Sequence, residues 1–106
     1  MDWERNPYYS PEKLALEIVY STDNGADYEF DMFVVWKDAD GLSVASTSHF
    51  YYATDSGCSC PSPFEDVNGL EDLTRGTKAE IIEAMEQWWG ATPQDVADLT
   101  DTFYRD

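Results

Sequence analysis

The sequence predicts an α+β fold: a three-stranded antiparallel meander, a Pro/Cys loop, and two C-terminal helices packed on one sheet face. Three observations predict it. Apolar residues alternate with period two through the first half, turn chemistry separates the alternating runs, and two capping signatures open helices near the end.

The opening NPYYSP reads as an irregular arm. Pro7 and Pro11 disfavour regular structure there, and Tyr8 and Tyr9 are placed to pin the arm to the domain. Residues 14–20 form the first predicted strand. Leu14, Leu16, Ile18 and Tyr20 share one face; Ala15, Glu17 and Val19 share the other. Asp23-Asn24-Gly25-Ala26 is a turn, because Asn-Gly tolerates positive φ. The second predicted strand covers residues 27–37. Tyr28, Phe30, Met32, Val34 and Trp36 make one face; Asp27, Glu29, Asp31, Phe33, Val35 and Lys37 make the other. A turn at Asp38-Ala39-Asp40-Gly41 leads to a third predicted strand over 42–53, rich in Ser, Thr and aromatics.

Residues 55–66 have small side chains, two prolines and no period, and read as a loop. Residues 70–73 suit a short helical turn. Thr77-Lys78-Ala79-Glu80 is a capping box, with Thr as N-cap and Glu three residues on. The helix it opens lays Ile81, Ile82, Met85, Trp88 and Trp89 along one stripe, with Gly90 placed to end it. Thr92-Pro93-Gln94-Asp95 opens a second helix with Val96, Leu99 and Phe103 inward. With no repeat and no linker, residues 1–106 read as one domain.

Charge narrows the function. The chain carries 22 Asp and Glu against 6 Lys and Arg, a net charge of -16, and both halves share it: 10 acids and 3 bases in residues 1–53, 12 and 3 in residues 54–106. Acidic chains poor in aromatics tend to disorder, but 4 Trp, 7 Tyr and 5 Phe supply a core here. Direct nucleic-acid binding is disfavoured, since it rests on clustered Lys and Arg and the six bases are scattered. Anionic membrane surfaces are disfavoured for the same reason. The N-terminus lacks a basic start and an apolar run, so no signal peptide is expected. Cys58 and Cys60 are too close for an unstrained disulfide and read as free thiols of a reducing compartment.

No residue cluster identifies a reaction. Cys58, Cys60, His49 and Asp55 could ligate a metal, but Cys-x-Cys beside the chain's one His falls short of a structural zinc pattern. Asp38-x-Asp40-Gly41 resembles the start of a calcium loop, yet Leu42 fills the third-ligand slot. Asp27, Glu29 and Asp31 share a strand face without a His, Lys or Ser tied to them, and read as solvated. No cofactor or metal is therefore expected.

The stretches YYSPEKLALEIV (8–19), YEFDMFVVWK (28–37) and YATDSGCSCPSPFED (52–66) resemble a family of small acidic proteins of actinobacteriophages, a domain of unknown function. The resemblance covers roughly the first two-thirds of the chain; the segment between residues 43 and 51 is longer than that family's pattern. It implies an intracellular phage protein in the host cytoplasm and carries over no catalytic residue.

The expected function is accordingly non-enzymatic: binding of a host or phage protein, basic or bearing an apolar patch, in an inhibitor, adaptor or host-takeover role. Asp27, Glu29, Asp31, Glu80, Glu83 and Glu86 would steer the partner. Phe33, Val35 and one of Trp88 and Trp89 would anchor it; helix neighbours point about 100° apart, so both indoles rarely bury. The alternatives are a DNA-mimic inhibitor of a nucleic-acid-binding protein, a metal-binding protein or small enzyme, and a homo-oligomer.

Overall fold

The computed structural model describes residues 6–25, 29–40, 44, 47–58, 64, 67 and 69–104. Four antiparallel strands lie side by side in chain order: β1 (Leu16–Asp23), β2 (Glu29–Asp38), β3 (Phe50–Cys58) and β4 (Thr74–Gly76). Helices α1 (Lys78–Gln87) and α2 (Pro93–Tyr104) follow. The α+β class and the C-terminal helix pair are as expected, but the sheet has four strands instead of three. The fourth is three residues long, too short to show a period. It pairs with the start of β3, from Phe50↔Gly76 to Tyr52↔Thr74.

The third strand is also displaced. It begins at Phe50 instead of residue 42 and runs through Asp-Ser-Gly to Cys58, where loop chemistry was expected. Its ladder with β2, from Trp36↔Tyr51 to Glu29↔Cys58, explains this. Paired backbone groups outweigh the weak strand propensity of small residues.

β2 is buried from Phe30 to Lys37, so neither of its faces is solvated. Phe33 and Val35 pack with Phe50, Ile81, Met85, Trp88, Leu99 and Phe103 beneath the helices. Phe30, Met32, Val34 and Trp36 face the opposite way, against Leu16, Phe64 and Leu73. Phe33 and Val35 are both 0% exposed, which corrects their expected role as surface anchors. A strand covered on both sides reads as a continuous apolar run, and MFVVW (32–36) is such a run.

The N-terminal arm covers part of the second face. Asn6 Oδ1 accepts from the backbone N–H of Tyr8 (2.8 Å) and Tyr9 (3.2 Å), closing a turn. That turn presents the Pro7 carbonyl to Trp36, whose Nε1–H donates to it at 2.8 Å. Tyr8 packs toward Phe64, whereas Tyr9 is exposed. Trp36→Phe leaves that carbonyl without its donor, and should cost about 1–3 kcal/mol in urea denaturation before any packing loss is added.

One irregularity in β1 positions the site. The register slips between Ile18 and Tyr20, so Ile18 pairs with Trp36 but Tyr20 pairs with Val35. A bulge at Val19 thus turns Tyr20 and Thr22 onto the helix face, where strict alternation would have placed Tyr20 with Leu16 and Ile18.

Candidate functional site

Both helix starts follow their capping residues. Glu80 N–H donates to Thr77 Oγ1 (3.3 Å), and Thr77 N–H donates to Glu80 Oε1 (2.9 Å). Asp95 N–H donates to Thr92 Oγ1 (3.1 Å), and Thr92 N–H donates to Asp95 Oδ2 (3.2 Å). The backbone N–H of Thr77 holds the Glu80 carboxyl below the usual carboxylate range, with help from its hydroxyl. Helix α1 stops at Gln87, with Trp88 as an extended C-cap; Gly90 lies in the turn beyond and is not the cap.

That turn is bound to the hairpin end of β1 and β2, where β1 finishes and β2 begins, through Asp95. Its carboxylate accepts from Asn24 Nδ2 (2.6 Å) and Thr22 Oγ1 (3.1 Å), with the Tyr20 hydroxyl at 3.5 Å. Asn24 Nδ2 also donates to the Gly90 carbonyl at 2.7 Å. The bulge in β1 makes this possible, because it delivers Tyr20 and Thr22 to the helix side. Burial alone would push the Asp95 carboxyl up. The hydrogen bonds from Asn24, Thr92 and Thr22 together outweigh it and hold Asp95 below the usual carboxylate range. Burial, with the Asp95 and Asp98 carboxylates nearby, pushes the Tyr20 hydroxyl up to about 12.

The Tyr20 shift has a testable sign. The folded state holds this proton above its unfolded value of 10.0, so the contribution to stability is whole below about pH 10 and is lost as pH rises towards about 12. Tyr20→Phe should remove that dependence, as urea denaturation on either side of the window would show.

Asp31 lies across the same end. It is 5% exposed; burial pushes its carboxyl up, the hydrogen bond it accepts from the Trp88 side chain opposes this, and the Asp23 charge adds to the rise. A Cβ placed on Gly90 would run into Asp31 Oδ2 and lie 3.1 Å from the Trp88 ring. A side chain at residue 90 would thus force the Asp31 carboxylate to move from its place beside Trp88. Gly90→Ala should cost about 1–3 kcal/mol, read from the shift of the thermal midpoint.

Above this framework Trp89 is 80% exposed, while Trp88 is 8% exposed and belongs to the core. Trp89, Glu29, Asp31, Asn24, Phe30 and Ser56 line a groove of about 390 Å³. The pairing Asp31↔Ser56 puts these two side by side across β2 and β3. Four expected site residues therefore meet here: Glu29, Asp31 and Trp89 at the groove and Trp88 beneath it. Glu83 and Glu86 are exposed on α1, and Glu80 serves the helix start. Asp27 lies outside the described residues. Asn24 and Ser56 were not foreseen, because turn and strand residues of these types carry no signal of their own.

His49 and Cys58 flank the length of β3, and Cys60 lies outside the described residues. His49 Nδ1 accepts from Arg75 Nη2 at 3.1 Å, and its Nε2 is 3.9 Å from Asp38 Oδ2. Asp55 Oδ2 instead accepts from the Phe64 backbone N–H at 2.7 Å. Among the described residues, no group of three or more His, Cys, Asp or Glu is placed to hold a metal ion. No described helix is long and apolar enough to cross a membrane.

No curated protein matches the chain significantly, and no solved structure does. Residues 5–103 match the family described as "Domain of unknown function (DUF7574)". With nearly the whole chain covered, the protein belongs to the DUF7574 family.

Proposed function

We propose that this chain is a non-enzymatic protein-binding domain that engages a basic partner at the face marked by Trp89. The observation that carries the proposal is the 80% exposure of that indole beside the Glu29 and Asp31 groove, in a chain of net charge -16. Trp is a frequent interface anchor, and a steep negative field speeds encounter with a basic surface. The Asp95 network fixes the turn that bears Trp89, so little ordering is left to oppose binding. The resemblance to actinobacteriophage proteins supports an infected actinobacterial cytoplasm as the setting, with an inhibitor, adaptor or host-takeover role.

The test is parallel capture from actinobacterial lysate with tagged wild type and Trp89→Ala, eluted by a salt gradient. At 80% exposure, the substitution should change stability by no more than about 0.5 kcal/mol. A basic protein held by wild type, released by moderate salt and lost from the variant supports the proposal. Nucleic-acid-binding proteins held equally by both would assign binding to the diffuse surface charge, as in a DNA mimic, and would overturn it.

A further inference from the structure

We infer that the groove beneath Trp89 receives a single arginine side chain of the partner protein. This rests on the reading of the Trp89 face as the binding surface.

The size of the groove sets the first limit. At about 390 Å³ it lies at the small end of ligand pockets, enough for one long side chain and its water. Its chemistry sets the second. Glu29 and Asp31 lie on the same face of β2, two residues apart, so their backbones are about 7 Å from one another. Both are acceptors. Asn24 also lines the groove. Its Nδ2 already donates to the Gly90 carbonyl and to Asp95 Oδ2, so what the amide retains is its oxygen, a further acceptor. Ser56 adds a hydroxyl. The polar lining is therefore rich in acceptors, whereas a guanidinium has five donors and no acceptor.

No Lys or Arg lines the groove among the described residues. Three of the chain's cations are engaged elsewhere: Lys37 pairs with Glu17 at 3.1 Å, Arg75 donates to His49, and Lys78 sits over the Tyr104 ring. Asp31 is 5% exposed, so its carboxylate is already desolvated within the fold and would attract an entering cation with little screening from water. The indole decides which cation. A planar, weakly hydrated guanidinium stacks on an aromatic face and can reach a carboxylate with its edge at the same time. A compact, strongly hydrated ammonium does this less well.

The probe is a capped Gly-Ser-Arg-Ser-Gly peptide, set against the same peptide with neutral citrulline in place of arginine. Binding is followed by amide and indole N–H resonances of the ¹⁵N-labelled full chain. The arginine peptide should give saturable shifts at the Trp89 indole N–H, the Asn24 side-chain amide and the Ser56 and Gly57 backbone. The citrulline peptide should give none. Trp89→Ala and Glu29→Gln, both at exposed positions, should each weaken binding about tenfold with the fold intact. Shifts that never saturate and scatter over all acidic faces would overturn the inference, as would equal shifts from citrulline. Should lysate capture depend on Trp89 while the peptide leaves the groove untouched, the inference fails and the binding face stands. Capture that does not depend on Trp89 removes the face itself.

Discussion

Phe33→Ala is expected to remove about 3–5 kcal/mol of stability. Phe33 is 0% exposed at the centre of the helix-facing core. Its ring stacks on Tyr52 with centroids 5.4 Å apart and planes 10° apart, and tilts against Trp88 at 5.5 Å. Truncation would leave a cavity between sheet and helices that rigid backbones on both sides cannot close. A domain of this size has about 5–15 kcal/mol in total, so the variant would stand near the edge of folding. Urea denaturation followed by circular dichroism checks this. A loss below about 0.5 kcal/mol would instead put Phe33 on the surface, where the strand's alternation alone had placed it.

Asp95→Ala is expected to cost about 2–4 kcal/mol. The carboxylate accepts from Asn24, Thr22 and the Thr92 backbone, and alanine leaves these donors without it in a site only 7% exposed. The cost should depend on pH with a definite sign. Because the folded protein holds the Asp95 carboxyl below its unfolded value, the contribution is whole above about pH 4 and is lost as pH falls through the folded value. Asp31 runs oppositely: its raised carboxyl favours the fold at low pH, and that contribution is lost as pH rises through its folded value. The gap between wild type and Asp95→Ala should therefore narrow under acid. A gap that stays constant would mean that the carboxylate charge is not what holds the network.

The helices were legible because their signals are local. Thr77 with Glu80, and Thr92-Pro93 with Asp95, each fix a start within four residues. One of Trp88 and Trp89 does stay outside, but not through the 100° step between helix neighbours: α1 ends at Gln87 and Trp88 is extended, so the two indoles part where the chain leaves the helix. The bulge at Val19 was not legible, since Leu14, Leu16, Ile18 and Tyr20 alternate without a break. The turned-over Tyr20 meets Asp95, 75 residues away, a contact that local alternation does not encode. Nor could alternation show that β2 is covered twice, because either phase of the pattern offers a plausible core. β3 was misplaced because Asp-Ser-Gly looks like a loop until a partner strand lies beside it. In the fold, Gly57 lies opposite Phe30, and a Cβ there would only touch the Phe30 ring at 3.6 Å. Of the site, Glu29, Asp31 and the Trp pair were legible as residues, but their meeting at one groove depends on how the helix–helix turn lands on the sheet.

Amide hydrogen exchange on the complex with the captured partner tests the binding face most directly. Slowed exchange should concentrate at Asn24–Gly25, Ser56–Gly57 and the turn from Trp88 to Ala91, with the exposed side of α1 around Glu83 and Glu86 little changed. Protection along α1 with unchanged exchange at those three segments would contradict it, and would move the interface from the Trp89 groove to the acidic helix face.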